Sequence, residues 1–195
     1  MYPEYAEING KQYKIDTSYQ TALKCFEVID DDTITDYERG LAIIYLLFDF
    51  IPKKDLEKFL MKAKTFLECG REENEKADGK KDMDFVQDKK YIVSSFMSDY
   101  HIDLAKEDLH FWQFVELIEG LTEQSSLNRV RDLRNYDLSQ IKDQKERAKI
   151  EKAQKQVALK VKHSYILSDK QMDNINKFYE QTGIKRKEWF YGWLD

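Results

Sequence analysis

Two histidines and two aspartates stand close together in the stretch YHIDLAKEDLHFWQFVELIEGL, Tyr100 to Leu121. His101, Asp103, Asp108 and His110 are of the types that hold divalent metals or pass protons. Their spacing suits neither role. The histidines lack the four-residue separation that puts two imidazoles on one helix face, and no Cys-x-x-Cys accompanies them. Asp103 and Asp108 read as caps or as negative charge at a helix start. The glycine-rich phosphate loops and the Gly-x-Ser-x-Gly elbow are absent as well. Cys25 lies in an apolar-periodic segment and reads as core. With 37 acids in the chain, pairs of carboxylates discriminate nothing. No catalytic residue, cofactor or metal is expected, so the chain is read as non-enzymatic.

The helix that carries this stretch explains His110 differently. At 100° per residue, Phe111, Trp112, Phe114, Val115, Leu117, Ile118 and Leu121 cover roughly 220° of its circumference. Only Gln113, Glu116 and Gly120 share a polar strip. A helix apolar over so wide an arc is expected at the centre of a core. His110 then falls between Leu117 and Leu121, as a buried neutral ring bonded to a carbonyl or an acid. Asp103, His110, Trp112 and Phe114 are read as structural residues.

Around this helix the periodicity is mostly helical. The opening YAEINGKQYKI is the exception: Asn9-Gly10 suits a type I′ turn, so Tyr5–Ile8 and Gln12–Ile15 form a hairpin that should lie against a helix. Thr17 or Ser18 caps a helix through Ile29. Thr35 and Glu38 form a capping box that opens a second helix, ending near Phe50. Pro52 starts a third, with Gly70 as its stop. Further helices are expected over 85–99, 106–119 and from Ser125 or Ser126 to Leu133. A long charged one should follow from Ser139 to Lys162. The fold class is mainly α (α+β): a multi-helix domain with a small N-terminal hairpin and a long charged C-terminal helix. The expected divisions are 1–69, a flexible loop 70–84, the central helices 85–137, and 138–195 as a C-terminal extension.

The chain has 195 residues, a net charge of −5 and a charged fraction of 35%. Such acidity disfavours nucleic acid and anionic membranes. The longest apolar run, Leu41 to Phe48, is too short to span a bilayer. The acidic start lacks the form of a signal peptide, and the two cysteines suggest no disulfide framework, so a cytoplasmic protein is expected.

Two segments look left over from the core. From Lys142 to Lys162 there are eight Lys/Arg against three acids. The apolar seam there is thin: Ile141, Ala148, Ala153, Val157 and Val161. Such a helix is either a solvated one or an arm that docks a partner. The end KEWFYGWLD carries Trp189 and Trp193 four residues apart, on one face if helical. Ile141, Val157, Val161, Trp189 and Trp193 are the candidate partner-binding residues.

One further pattern is specific. Asp88, Tyr91-Ile92, Phe96, Tyr100, Ile102-Asp103-Leu104, Leu109-His110-Phe111-Trp112, Phe114 and Gly120-Leu121, followed by the basic RVRDLR of Arg129 to Arg134, resemble the bacteriophage gene-product-fifteen family of siphophages and prophages. Phe111 stands where Trp is the more usual residue. The resemblance implies a role in tail morphogenesis, as an assembly chaperone that coats the tape measure protein before the tube polymerises. It implies tail proteins as partners, with a homo-oligomer as one form, and supplies no catalytic residues. The alternative is a DNA-linked packaging or regulatory protein that uses the basic helix 142–162.

Overall fold

A computed structural model describes residues 2–71, 81–160 and 177. The chain divides into two compact units. Among the described residues there are seven α-helices and one two-stranded sheet, and no helix is long and apolar enough to cross a membrane.

The first unit comprises residues 1–76 with Leu109–Trp112, together with 162–195. It opens on strands β1 (Tyr5–Ile8) and β2 (Lys11–Lys14), antiparallel with Ile8 opposite Lys11. Asn9 and Gly10 both take positive φ, 52° and 74°, as a type I′ turn requires. The turn is fastened to the next layer by its own side chain. Asn9 donates to Asp55 at 3.1 Å and accepts from Lys58 at 2.6 Å.

Helix α1 (Tyr19–Ile29) is capped by the Ser18 hydroxyl. Helix α2 (Asp36–Phe48) begins with the expected capping box, Thr35 against Glu38. Ten of its thirteen residues are buried, so α2 is the most enclosed of the described helices of this unit. Helix α3 (Leu56–Leu67) starts later than Pro52 suggests, because Asp55 adopts a left-handed conformation with φ 61°. Its end is a Schellman motif: Gly70 N–H donates to Thr65 O at 2.8 Å and Cys69 N–H to Phe66 O at 3.1 Å. Burial pushes the Cys25 thiol well above its ordinary range.

The second unit comprises 77–108 and 113–161. Helix α4 (Lys89–Tyr100) is preceded by a turn in which the Asp84 carboxylate accepts from the N–H groups of Val86 and Gln87. Helix α5 (Phe111–Glu119) begins five residues after the expected start at Lys106. Of it, Phe111, Phe114 and Ile118 are buried, while Glu116 and Glu119 are exposed. Helix α5 is therefore less enclosed than expected. Helix α6 (Ser126–Asn135) is capped by Ser125.

Helix α7 runs over Gln144–Val157 with Asp143 as its cap. The longer helix expected from Ser139 to Lys162 is not what forms over the described residues. Ser139 sits in a short 3-10 turn, Leu138–Gln140, which Asp137 caps, and the chain leaves helical geometry at Ala158. The acids at 137 and 143 each offer a cap, and the second one wins the helix start. The middle of the predicted loop, 72–80, lies outside the described residues, as do Val161, Trp189 and Trp193.

Candidate functional site

His101 and Asp103 have local partners, whereas those of His110 are distant in sequence. His101 ends α4 in a left-handed conformation, φ 58°, with its N–H donating to Met97 O at 3.2 Å. Its ring is exposed. Asp103 accepts from Ala105 N–H at 3.1 Å and pairs with Lys106 at 2.8 Å. The Lys106 ammonium, then the Ala105 N–H, hold its carboxyl below the usual carboxylate range. His101, Asp103 and Asp108 belong to the second unit and His110 to the first. Among the described residues, no three His, Cys, Asp or Glu side chains come together in a way that could hold a metal.

His110 precedes α5 rather than projecting between Leu117 and Leu121. It forms a bridge with Ser18, and its flanking main chain is pinned on both sides. Tyr19 N–H donates to Leu109 O at 2.9 Å, and Phe111 N–H to Thr17 O at 2.7 Å. The ring is half-buried and stacks on Tyr2 at 4.9 Å. Trp112 N–H donates to Nδ1 at 3.1 Å, which places the proton on Nε2, 3.0 Å from the Pro3 carbonyl. Trp112 in turn donates its indole N–H to Phe66 O at 2.8 Å. Its ring lies so close to Gly70 that an added Cβ there would meet it at 2.9 Å. Gly70 is thus required twice, by φ 71° and by this contact.

The motif residues of the second unit have similarly plain uses. Phe96 stacks on Phe114 at 5.3 Å, and both are buried. The Tyr100 hydroxyl donates to Leu117 O at 2.9 Å and would lie 2.9 Å from a Cβ at Gly120, which explains a glycine there. Asp88 and Arg134 come together as an ion pair with two parallel bonds, 2.6 Å and 2.7 Å. Both are nearly inaccessible, with side-chain exposures of 1% and 9%. Arg134 also donates to Asp82 O at 2.7 Å and Val157 O at 2.6 Å. The Asp88 bond, against the opposing effect of burial, holds the guanidinium pKa above its usual value. This cluster joins α4, α6 and the end of α7. Asp88 and Arg134 stand 46 residues apart, and no spacing in the sequence pairs them.

The remaining surface is α7. It packs on α6. Ile150, Ala153, Gln154 and Val157 share its inner face and are half-buried, and no residue of the helix is buried. The opposite side carries Lys145, Ala148, Lys149, Lys152 and Lys155, all exposed. The seam thus runs through Ile150 and Gln154 rather than through Ala148. Ile141 is half-buried ahead of the helix. Lys155 pairs with Glu151 at 2.6 Å, and the Glu151 carboxyl is held below its usual range by that bond. Geometrically this is a basic, thin-seamed helix at the edge of a unit, with its outer face open.

The profile of the family described as "Bacteriophage Gp15 protein" matches residues 2–159 of the chain. No curated protein and no solved structure matches.

Proposed function

The chain belongs to the bacteriophage Gp15 protein family, and from that premise we propose that it is a non-enzymatic tail assembly chaperone that binds the tape measure protein in the host cytoplasm before the tube polymerises. The observation that carries the reading is the extent of the match, residues 2–159, which takes in both units and ends just beyond α7. The family likeness therefore includes α7, the helix least buried of those described. Its outer lysines suit an acidic face on an amphipathic helical partner. Contacts of that kind are individually weak. Many copies along a rod would supply avidity, and a polymerising tube can displace them one at a time. Coating helical segments that otherwise aggregate is a sufficient reason for such a protein to exist.

The test is co-expression with the tape measure protein of the same gene cluster. The expected result is co-purification and a larger soluble fraction of the tape measure protein. Reversing Lys145, Lys149 and Lys152 to Glu should reduce both while circular dichroism stays that of the wild type. A tape measure protein equally soluble with and without this chain, and not retained by it, overturns the reading. The exposed lysines also keep the DNA-linked alternative in play. A salt-dependent shift of duplex DNA by the purified protein is the result that favours it.

A further inference from the structure

α7 is fastened to its unit largely through main chain. Arg134 Nε donates to Val157 O, one of the carbonyls that a helix end leaves without an intrahelical partner. Gln87 grips the backbone of Lys160 from both sides: Oε1 accepts its N–H at 2.7 Å, and Nε2 donates to its carbonyl at 2.8 Å. In the other direction, Gln154 Nε2 donates to Leu133 O at 3.0 Å and Tyr136 O at 2.8 Å, the main chain at the end of α6. Among the described residues, the apolar side chains of α7 and of residues 158–160 that are half-buried are Ile150, Ala153, Val157 and Leu159, and none is buried.

The acceptor side of this contact is also held by bonds that do not involve α7. Asp88 fixes the Arg134 guanidinium through two bonds, and Asp82 O takes a third. Gln87 is positioned by the turn that Asp84 caps, through its own N–H at 2.8 Å. The connector, by contrast, bonds within itself and to the first turn of α7. Asp137 accepts from Ser139 N–H and hydroxyl, Ile141 N–H donates to Leu138 O, and Asp143 accepts from Lys145 and Glu146. A pre-formed receptor, a lightly buried occupant and a self-contained connector are the ingredients of an exchangeable element.

We propose that α7 with residues 158–160 exchanges between copies of this chain. The second unit of one copy receives α7 of another, and the acceptor's Gln87 and Arg134 close on Lys160 and Val157 of the donor. A second copy is the fitting occupant because it alone is certain to bring the same seam, the same Gln154 and the same extended backbone after the helix. Every bond of the intramolecular contact is reproduced, and the outer lysines stay exposed. The inference does not depend on the chaperone reading. It would give such a protein a means to join copies without any new surface.

Two full-length variants test it. Deleting Leu138–Ile141 shortens the connector so that α7 no longer reaches its own unit. The expected product is a folded dimer or larger species by analytical ultracentrifugation, with α7 amides protected from exchange. The double variant Ile150→Ala/Gln154→Ala weakens the resident helix and leaves the acceptor intact. It should bind a fluorescein-labelled peptide of residues 142–160, and adding Gln87→Ala should weaken that binding about tenfold, the size of effect expected from two neutral hydrogen bonds. A deletion variant that stays monomeric with native circular dichroism overturns the proposal. If that variant fails to fold, the peptide titration decides: no binding, or binding indifferent to Gln87→Ala, overturns it.

Discussion

In the first unit α2 keeps ten of its thirteen residues buried, whereas α7 of the second unit buries none of its fourteen. The same contrast runs through the rest of each unit. Among the described residues, twenty of the buried hydrophobic side chains belong to the first unit and eight to the second. Both units also have directional polar bonding. In the first the Arg39 guanidinium donates to Asp31 O at 2.7 Å, and in the second Arg134 binds Asp88, Leu127 N–H donates to Ser95 Oγ at 3.0 Å and Thr122 N–H to Asp99 at 2.9 Å. Hydrocarbon packing is tolerant of angle and intolerant of lost volume. Polar pairs behave the other way round, since they hold one geometry and fail abruptly when one partner goes. The first unit thus leans more on hydrocarbon packing, and the second, with fewer buried apolar side chains, leans more on its polar ties.

Removing one half of the buried ion pair should do most to break this comparison. Arg134→Ala leaves Asp88 with an uncompensated charge and should lower stability by about 3–5 kcal/mol in urea unfolding. Replacing both members, Asp88→Leu with Arg134→Met, should recover most of that loss. An Arg134→Ala variant of native stability would mean that the second unit does not rely on its polar ties.

In the first unit the corresponding change is Ile43→Ala, at a side chain with no exposed surface. It should cost about 2–4 kcal/mol, as a cavity in a packed helix. No single partner substitution should restore it, in contrast to the ion pair. Capping should matter alike in both units. Thr35→Ala and Ser125→Ala should each cost about 1 kcal/mol by thermal unfolding, because each removes an acceptor from a helix start. A cap that matters in only one unit would sharpen the contrast further.

The smallest effect concerns acid. Burial alone would raise the Asp84 carboxyl, but the N–H groups of Gln87 and Val86 and the Lys81 ammonium outweigh it, and the group sits below the usual carboxylate range. A depressed pKa contributes stability in full above the unfolded value of about 4 and loses it as pH falls through the lower folded value. Asp99 is depressed for a similar reason, through Ser98 and Thr122. Melting temperature should therefore fall as pH drops below about 4, and Asp84→Asn should flatten that slope. A slope unchanged in that variant would show that Asp84 does not contribute to it.

Local chemistry was the legible part of the sequence. Asn9-Gly10, Ser18, Thr35 with Glu38, and Ser125 each satisfy donors or backbone angles within four residues, so the chain states them directly. The helix starts after Pro52 and Asp108 were misplaced. At the first, Asp55 takes a left-handed angle that a propensity argument would give to glycine. At the second, Leu109–Phe111 bonds to Thr17 and Tyr19 instead of turning helical. The Asp88–Arg134 pair spans 46 residues and could not be read from periodicity. The polar strip on α5 was visible, yet its width said nothing about which helix would be most covered. His110 was expected to bond a carbonyl or an acid as a buried ring; it is half-buried and faces the Pro3 carbonyl, and its place ahead of the helix, against Tyr2 and Pro3, depended on contacts made over 107 residues.

That return of Leu109–Trp112 to the first unit has a consequence in time. The N-terminal body lacks Phe111, the Trp112 bond to Phe66, and the two backbone bonds to Thr17 and Tyr19 until those four residues exist. About 36 residues separate Lys76 from Trp112, and a ribosome adding roughly 5–20 residues per second needs about 2–7 s to cover them. Until then the first unit lacks the residue that fills the place of Phe111. Arresting translation just before residue 109 should leave the first unit protease-sensitive, and releasing the arrest past residue 112 and the exit tunnel should close it.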